Sequence, residues 1–224
     1  MKHYFTKTEI LLWVFSVVFI LVSFLMFDRK SYLTLAASVI GVTSLTFNAK
    51  GNPIGQVLMI LFSLIYGVIS YGFSYYGEMV TYLGMTLPMA AVALVSWLRN
   101  PYKGKRSEVA VNRLHRKEVL FMFVLTGIVT ALFYYILAYF HTANLLLSTL
   151  SVTTSFIAAY LTFRRSPFFA LAYAANDVVL IVLWILATLE SISYFCVIVC
   201  FMVFLVNDLY GFISWKQMEK RQGA

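Results

Sequence analysis

Residues 162–184 read TFRRSPFFALAYAANDVVLIVLW, and the order of features in this stretch decides the fold. Two arginines stand in a short turn. Pro167 follows, and proline suits a first helical turn because its missing N–H would be unpaired there anyway. An apolar run then continues to Leu189, interrupted only by Asn176-Asp177. Such a run is long enough to cross a hydrocarbon core of about 30 Å. The same order occurs earlier, as Thr46-Phe47, Lys50 and Pro53, then another apolar run. A basic turn that opens a membrane-length helix twice in one chain predicts an all-α membrane protein built from repeated helical units.

Working outward, apolar runs recur along the whole chain and leave no room for a soluble domain. Of the 224 residues 62% are hydrophobic and only 12% charged, against about 25% charged in soluble domains. Eight spans are expected, near Glu9–Phe27, Ser31–Phe47, Pro53–Gly72, Met79–Leu98, Val119–Phe140, Asn144–Phe163, Pro167–Leu189 and Ile192–Trp215. The first run is too long for a cleavable signal peptide and lacks a small-residue cleavage site after it. With the N-terminus inside, the inner segments hold fifteen of the 17 Lys and Arg, including Lys2, Lys7, Lys50, Arg164 and Arg165, and the outer loops hold Arg29 and Lys30. This is the positive-inside pattern, and it places both termini in the cytoplasm. The net charge of +8 is therefore read as topology and contact with the lipid bilayer, not as nucleic-acid binding. Cys196 and Cys200, one turn apart, suit neither a disulfide nor a metal site. His3, His115 and His141 show no metal spacing, and no cofactor is expected.

Helices two to four and six to eight read as two copies of one unit. Each opens with a helix rich in small polar residues (Ser38, Thr43 and Ser44; Ser148, Ser151, Thr153, Thr154 and Ser155). Each then has Thr-Phe (Thr46-Phe47, Thr162-Phe163), a basic turn and a proline, and closes on Ser-Trp (Ser96-Trp97, Ser214-Trp215). A three-helix unit crosses an odd number of times, so a linker helix between copies is needed to make them parallel. The organisation expected is 1–30 an extra N-terminal helix, 31–98 the first repeat, 99–118 a basic cytoplasmic loop, 119–140 the linker helix, 144–215 the second repeat and 216–224 a tail. Transporters with parallel repeats bind substrate between the halves near the midplane. Trp97 and Trp215 are expected to be interfacial anchors, and Tyr75, Tyr76 and Glu78 to lie at the outer surface.

Polar groups inside the spans mark the candidate site, since an ionisable group at the bilayer centre costs at least about 2.5 kcal/mol on insertion scales. Asn176-Asp177 and Asn207-Asp208 are such pairs. At about 1.5 Å per residue they lie roughly 13 and 12 Å from the inner face, and Ser63 roughly 15 Å. Gln56, Met59, Ser63, Tyr66 and Ser70 follow a 3–4 spacing that makes one helical stripe. Tyr173, Asn176 or Asp177, Leu180 and Trp184 make a comparable stripe. The candidate substrate-binding residues are thus Gln56, Ser63, Tyr66, Tyr173, Asn176, Asp177, Trp184, Asn207 and Asp208. Aromatic faces beside amides and carboxyls suit a flat, polar, ring-bearing molecule. The competing reading, strongest for Ser63 and Ser70, is hydrogen-bond glue between helices.

At these residues the sequence resembles the Pnu-type vitamin transporters. The matching stretches are Asn52-Pro53-Ile54-Gly55-Gln56 to Leu64-Ile65-Tyr66, Tyr76-Gly77-Glu78, Leu87-Pro88-Met89 through Trp97, Arg164-Arg165, Asn176-Asp177-Val178-Val179, and Gly211 through Trp215. The resemblance implies a three-plus-one-plus-three helix plan like that of the sugar-carrying SWEET proteins, with an extra N-terminal helix. It implies a homotrimer in the bacterial inner membrane that imports nicotinamide riboside by facilitated diffusion. A cytoplasmic kinase would trap the substrate by phosphorylation and feed NAD synthesis. Aromatics would hold the base and amides the riboside, which points to Gln56, Tyr66, Tyr173, Asn176 and Asn207. The family often has Trp-x-x-Trp ahead of the helix-seven Asn and a Gln after Pro-Met. Here those places hold Phe168 to Tyr173 and Ala90.

Three other functions compete. One is a carrier of a deoxynucleoside or thiamine, proton-coupled through Asp177 or Asp208. Another is a membrane sensor or scaffold, whose cue would be a soluble domain. The third is an enzyme, which the sequence does not support: it has no nucleophile elbow, phosphate-binding glycine loop or metal set.

Overall fold

The computed structural model describes residues 4–29, 31–72, 76–189 and 192–223. Lys2, His3, Lys30 and Tyr75, named above, lie outside these residues. Among the described residues, eight helices are long and apolar enough to cross a membrane: α1 (Lys7–Phe27), α2 (Tyr32–Ala49), α3 (Ile54–Gly72), α4 (Tyr76–Arg99), α5 (Arg116–Tyr139), α6 (Leu145–Phe163), α7 (Phe168–Thr188) and α8 (Phe195–Gln222). Their outward surface is apolar, as a chain surrounded by lipid requires. Phe15, Phe19 and Leu25 on α1 and Leu120, Phe121 and Ile128 on α5 are all exposed. The protein is a multi-pass membrane protein.

The basic ends of the helices gather at one face, and there the two halves repeat each other. Asn52 N–H donates to the Phe47 carbonyl at 3.1 Å, and Ser166 N–H to the Leu161 carbonyl at 3.0 Å. Gly51 and Arg165 both take positive φ, at 64° and 59°. Glycine adopts this left-handed conformation without Cβ strain. The two turns are thus equivalent residue by residue, with Pro53 matching Pro167. That register pairs Thr162-Phe163 with Asn48-Ala49, not with Thr46-Phe47 as the sequence suggested. The misalignment arose because both dipeptides close a helix, two residues apart.

Ser96 Oγ donates to the Phe163 carbonyl at 2.8 Å and Trp97 Nε1 to the Thr162 carbonyl at 2.8 Å. Reciprocally, Ser214 Oγ donates to the Ala49 carbonyl at 2.7 Å and Trp215 Nε1 to the Asn48 carbonyl at 2.7 Å. Each half therefore satisfies the last carbonyls of the other half's first helix, groups that have no partner within their own helix. The tryptophans are not interfacial anchors. Both are fully buried, with ring centroids 5.5 Å apart, and Phe169 packs edge-on against Trp215 at 4.9 Å. Their indole N–H groups find backbone carbonyls inside the protein instead of water.

Residues 99–118, expected as a loop, are ordered. β1 (Pro101–Tyr102) and β2 (Lys105–Val109) form an antiparallel hairpin. Its two-residue turn, Lys103-Gly104, has positive φ at both positions, as a tight hairpin favours. The end of β2 and the segment after it bond both repeated turns: Val109 N–H to the Gly51 carbonyl at 2.9 Å and Asn112 N–H to the Arg165 carbonyl at 3.0 Å. Helix α8 does not end at Trp215. It continues to Gln222, where Glu219 pairs with Arg113 and Lys216 and Gln222 accepts from Val111 N–H at 2.8 Å.

Helix α1 begins with a capping box, Thr6 with Glu9, whose reciprocal bonds satisfy two otherwise unpaired donors. Glu9 is buried and also takes Lys50 Nζ at 3.1 Å and Tyr210 Oη at 3.2 Å. Helix α1 thus covers the seam between α2 and α8.

Candidate functional site

A cavity of about 120 Å³ lies between the halves, lined by residues of every helix from α2 to α8. Helices α3 and α4 give it an aromatic wall. Phe62, Tyr66 and Tyr82 pack on one another, with centroids 4.6 Å apart for Tyr66 and Tyr82 and 5.3 Å for Phe62 and Tyr66. Tyr82 opens a π-helical turn, Tyr82–Thr86, and Thr81, Tyr82 and Thr86 at its two ends line the cavity. Single π turns of this kind recur at functional sites.

The other walls are polar. Ser148, Ser151 and Ser155, at 3–4 spacing along α6, line one side. Asn176 of α7 faces them. Its Oδ1 accepts from Ser151 Oγ at 3.2 Å and Thr154 Oγ1 at 2.8 Å. With Oδ1 held by two hydroxyls, the Nδ2 group is left to donate into the cavity. Asp177, Asp208 and Glu78 complete the lining, with Tyr173 and Trp184 toward its two ends.

Toward the basic face Tyr173 packs on Phe169, and beneath it Phe169, Trp97 and Trp215 fill the interior. Toward the other face lies a second cavity of about 170 Å³, bordered by Asp28, Ser31 and Thr34 among others. The two cavities share Tyr66, Glu78 and Trp184.

Of the candidate residues, the fold brings Tyr66, Tyr173, Asn176, Asp177, Trp184 and Asp208 to the cavity. It places Gln56, Ser63 and Asn207 elsewhere. Gln56 is buried near the basic face and donates to Asn48 Oδ1 at 2.9 Å. Ser63 is buried and turns back to the Met59 carbonyl at 2.8 Å. Asn207 donates to Ser16 Oγ of α1 at 2.9 Å and to the Val203 carbonyl. These three bind helix to helix or helix to itself. Ala90 is buried within α4 and is not a lining residue. Glu78, expected at the outer surface, is instead part of the wall, as are Thr81, Tyr82 and Thr86. The α6 serines carried a readable period, and so did Glu78, Thr81, Tyr82 and Thr86, which stand at i, i+3, i+4 and i+8.

Asn207→Ala is therefore expected to lower thermal stability by about 1 kcal/mol, the ordinary contribution of one such bond. Binding at the cavity should stay within about twofold. Calorimetric titration beside a melting curve checks both, and a large affinity loss at unchanged stability would return Asn207 to the site.

The family described as nicotinamide mononucleotide transporter matches residues 31–217. The chain is 23% identical over 202 residues to the nicotinamide riboside transporter PnuC of Neisseria mucosa, covering 88% of this chain and 77% of that one. It is 23% identical over 192 residues to the PnuC of Haemophilus influenzae, covering 85% and 82%. The crystal structure of the vitamin B3 transporter PnuC superposes with a TM-score of 0.80 at 22% identity, over 97% of this chain and 94% of that one.

Proposed function

The chain belongs to the nicotinamide mononucleotide transporter family, and on that premise we propose that it carries nicotinamide riboside across the membrane by facilitated diffusion. It is a transporter and not an enzyme. The observation that carries the choice of substrate is the cavity's division into an aromatic wall (Phe62, Tyr66, Tyr82) and an amide–hydroxyl wall (Asn176, Ser148, Ser151, Ser155). The first suits stacking on a pyridine ring. The second suits ribose hydroxyls and a carboxamide.

Despite the family's name, the riboside fits better than the mononucleotide. Among the described lining residues there is no Lys or Arg, the side chains that ordinarily hold a phosphate. Substrate that crosses would be trapped by a cytoplasmic kinase and feed NAD synthesis, and the chain would work as a homotrimer in the bacterial inner membrane. The basic face, with Lys50, Arg99, Arg164 and Lys216, is the cytoplasmic one by the positive-inside rule. Thiamine is the second reading, because its thiazolium ring is also a flat aromatic cation.

The test is a binding panel on purified protein: nicotinamide riboside, nicotinamide mononucleotide, thiamine, adenosine and deoxyadenosine. Nicotinamide riboside is expected to bind at least about tenfold more tightly than the others, a difference of about 1.4 kcal/mol. Preference for thiamine or deoxyadenosine would replace the substrate and keep the fold. Accumulation abolished by a protonophore would replace facilitated diffusion with proton coupling.

A further inference from the structure

Three carboxyl side chains line the central cavity, and no basic residue joins them among the described lining residues. Asp177 and Asp208 are about 95% buried and meet side chain to side chain within hydrogen-bond reach. They arrive from different helices, α7 and α8, so the juxtaposition is a product of packing and not of local sequence. Beyond that contact Asp177 Oδ2 has no hydrogen-bond partner, although a buried acceptor left unpaired is costly. The amide nearest to Asp208 in sequence, Asn207, is committed to Ser16 and Val203. Among the described residues no three His, Cys, Asp or Glu converge as a metal site. Glu78 stands farther along, in the wall shared with the second cavity, and Asp28 borders that cavity beyond it.

A buried carboxyl pair with an unfilled acceptor and no internal cation calls for a cation from outside. It must be large and flat to fill an aromatic cavity, where ring faces add attraction for positive charge. A compact metal ion lacks the required ligand set. We propose that Asp177 and Asp208 are the counter-charge for the positively charged ring of the substrate, so that the cavity selects its ligand by ring charge as well as by shape. This rests on the proposed function above. The pyridinium nitrogen of nicotinamide riboside is quaternised by its glycosidic bond, so its charge is permanent. Reduction of that ring to the 1,4-dihydro form removes the charge and keeps ribose, carboxamide and size.

The experiment is calorimetric titration of the purified protein with nicotinamide riboside and with its neutral dihydro form. Wild type is expected to prefer the cation by at least about 30-fold. In Asp177→Asn and Asp208→Asn, cation affinity should fall by about that factor while affinity for the neutral form changes less than about threefold, giving a coupling between ligand charge and carboxyl. Equal binding of the two forms by wild type overturns the proposal without any variant. So does a proportional loss of both forms in the variants, which would mark the carboxyls as structural.

Thiamine and adenosine separate the two levels of inference. If nicotinamide riboside fails to bind but thiamine binds and adenosine does not, the riboside reading falls and selection by charge stands. If only neutral adenosine binds, both fall.

Discussion

Replacement of Asn176 by Leu is expected to weaken binding of nicotinamide riboside by about 100-fold or more, equivalent to about 3 kcal/mol. The side chain has two roles in one place. Its oxygen gathers the hydroxyls of Ser151 and Thr154, and its amino group is left to donate toward the cavity. Leucine keeps the volume and removes both functions. It leaves Ser151 Oγ without its acceptor, while Thr154 Oγ1 keeps the Leu150 and Ser151 carbonyls, and it sets a polar ligand group against hydrocarbon, where an unmade hydrogen bond costs about 1–3 kcal/mol. Expression should change little and stability should fall by only about 1 kcal/mol, because α7 is held on α6 and α8 along its whole length by other contacts. Transport of radiolabelled nicotinamide riboside into vesicles, normalised to protein, reads the effect. Uptake within a fewfold of wild type would remove Asn176 from the site.

The second large effect is on stability. Trp215→Ala should destabilise the protein by about 3–5 kcal/mol, the usual range for truncating a large aromatic in a core. Trp215 is fully buried against Trp97 and Phe169, and its loss also removes one of two donors to the Asn48 carbonyl, the other being Gly51 N–H at 2.9 Å. Trp215→Phe keeps most of the packing and loses the bond, so about 1 kcal/mol is expected. Trp97→Ala should behave as Trp215→Ala does, since its surroundings are the mirrored ones. Melting curves in detergent separate these variants. Leu120→Ala on the lipid-facing surface is the control, and a Trp215→Ala loss no greater than that control's would disprove a structural plug.

The helices were legible because lipid leaves little choice: every backbone group must be paired within the chain, so each crossing shows as a long apolar run. Period also found one side of the cavity. Tyr173, Asn176, Asp177 and Trp184 share a face of α7, and the cavity lies on that face. But period identifies a face and not the neighbour it meets. Asn207 and Asp208 are adjacent in sequence, which on a helix separates them by about 100°. One turns to the cavity and the other to Ser16 of α1. Ser63 lies on the stripe of Tyr66, yet its hydroxyl bonds its own backbone. Gln56 was claimed by Asn48, a residue whose side chain becomes important only once α2 and α3 are folded together. Trp97 and Trp215 read as anchors because a terminal Trp has the same sequence signature whether it faces lipid or protein.

The reciprocal Ser-Trp bonds also bear on the kinetics of any cycle in which the halves part at the basic face. The four donors hold carbonyls at the ends of α2 and α6, and a single layer of rings, Trp97, Trp215 and Phe169, lies between the two sets. Disturbing one set is expected to press the rings against the other, so that the two sets release together. Such a step carries a high activation enthalpy. The rate of substrate exit through that face should therefore rise steeply on warming, far more steeply than diffusion through an open pore.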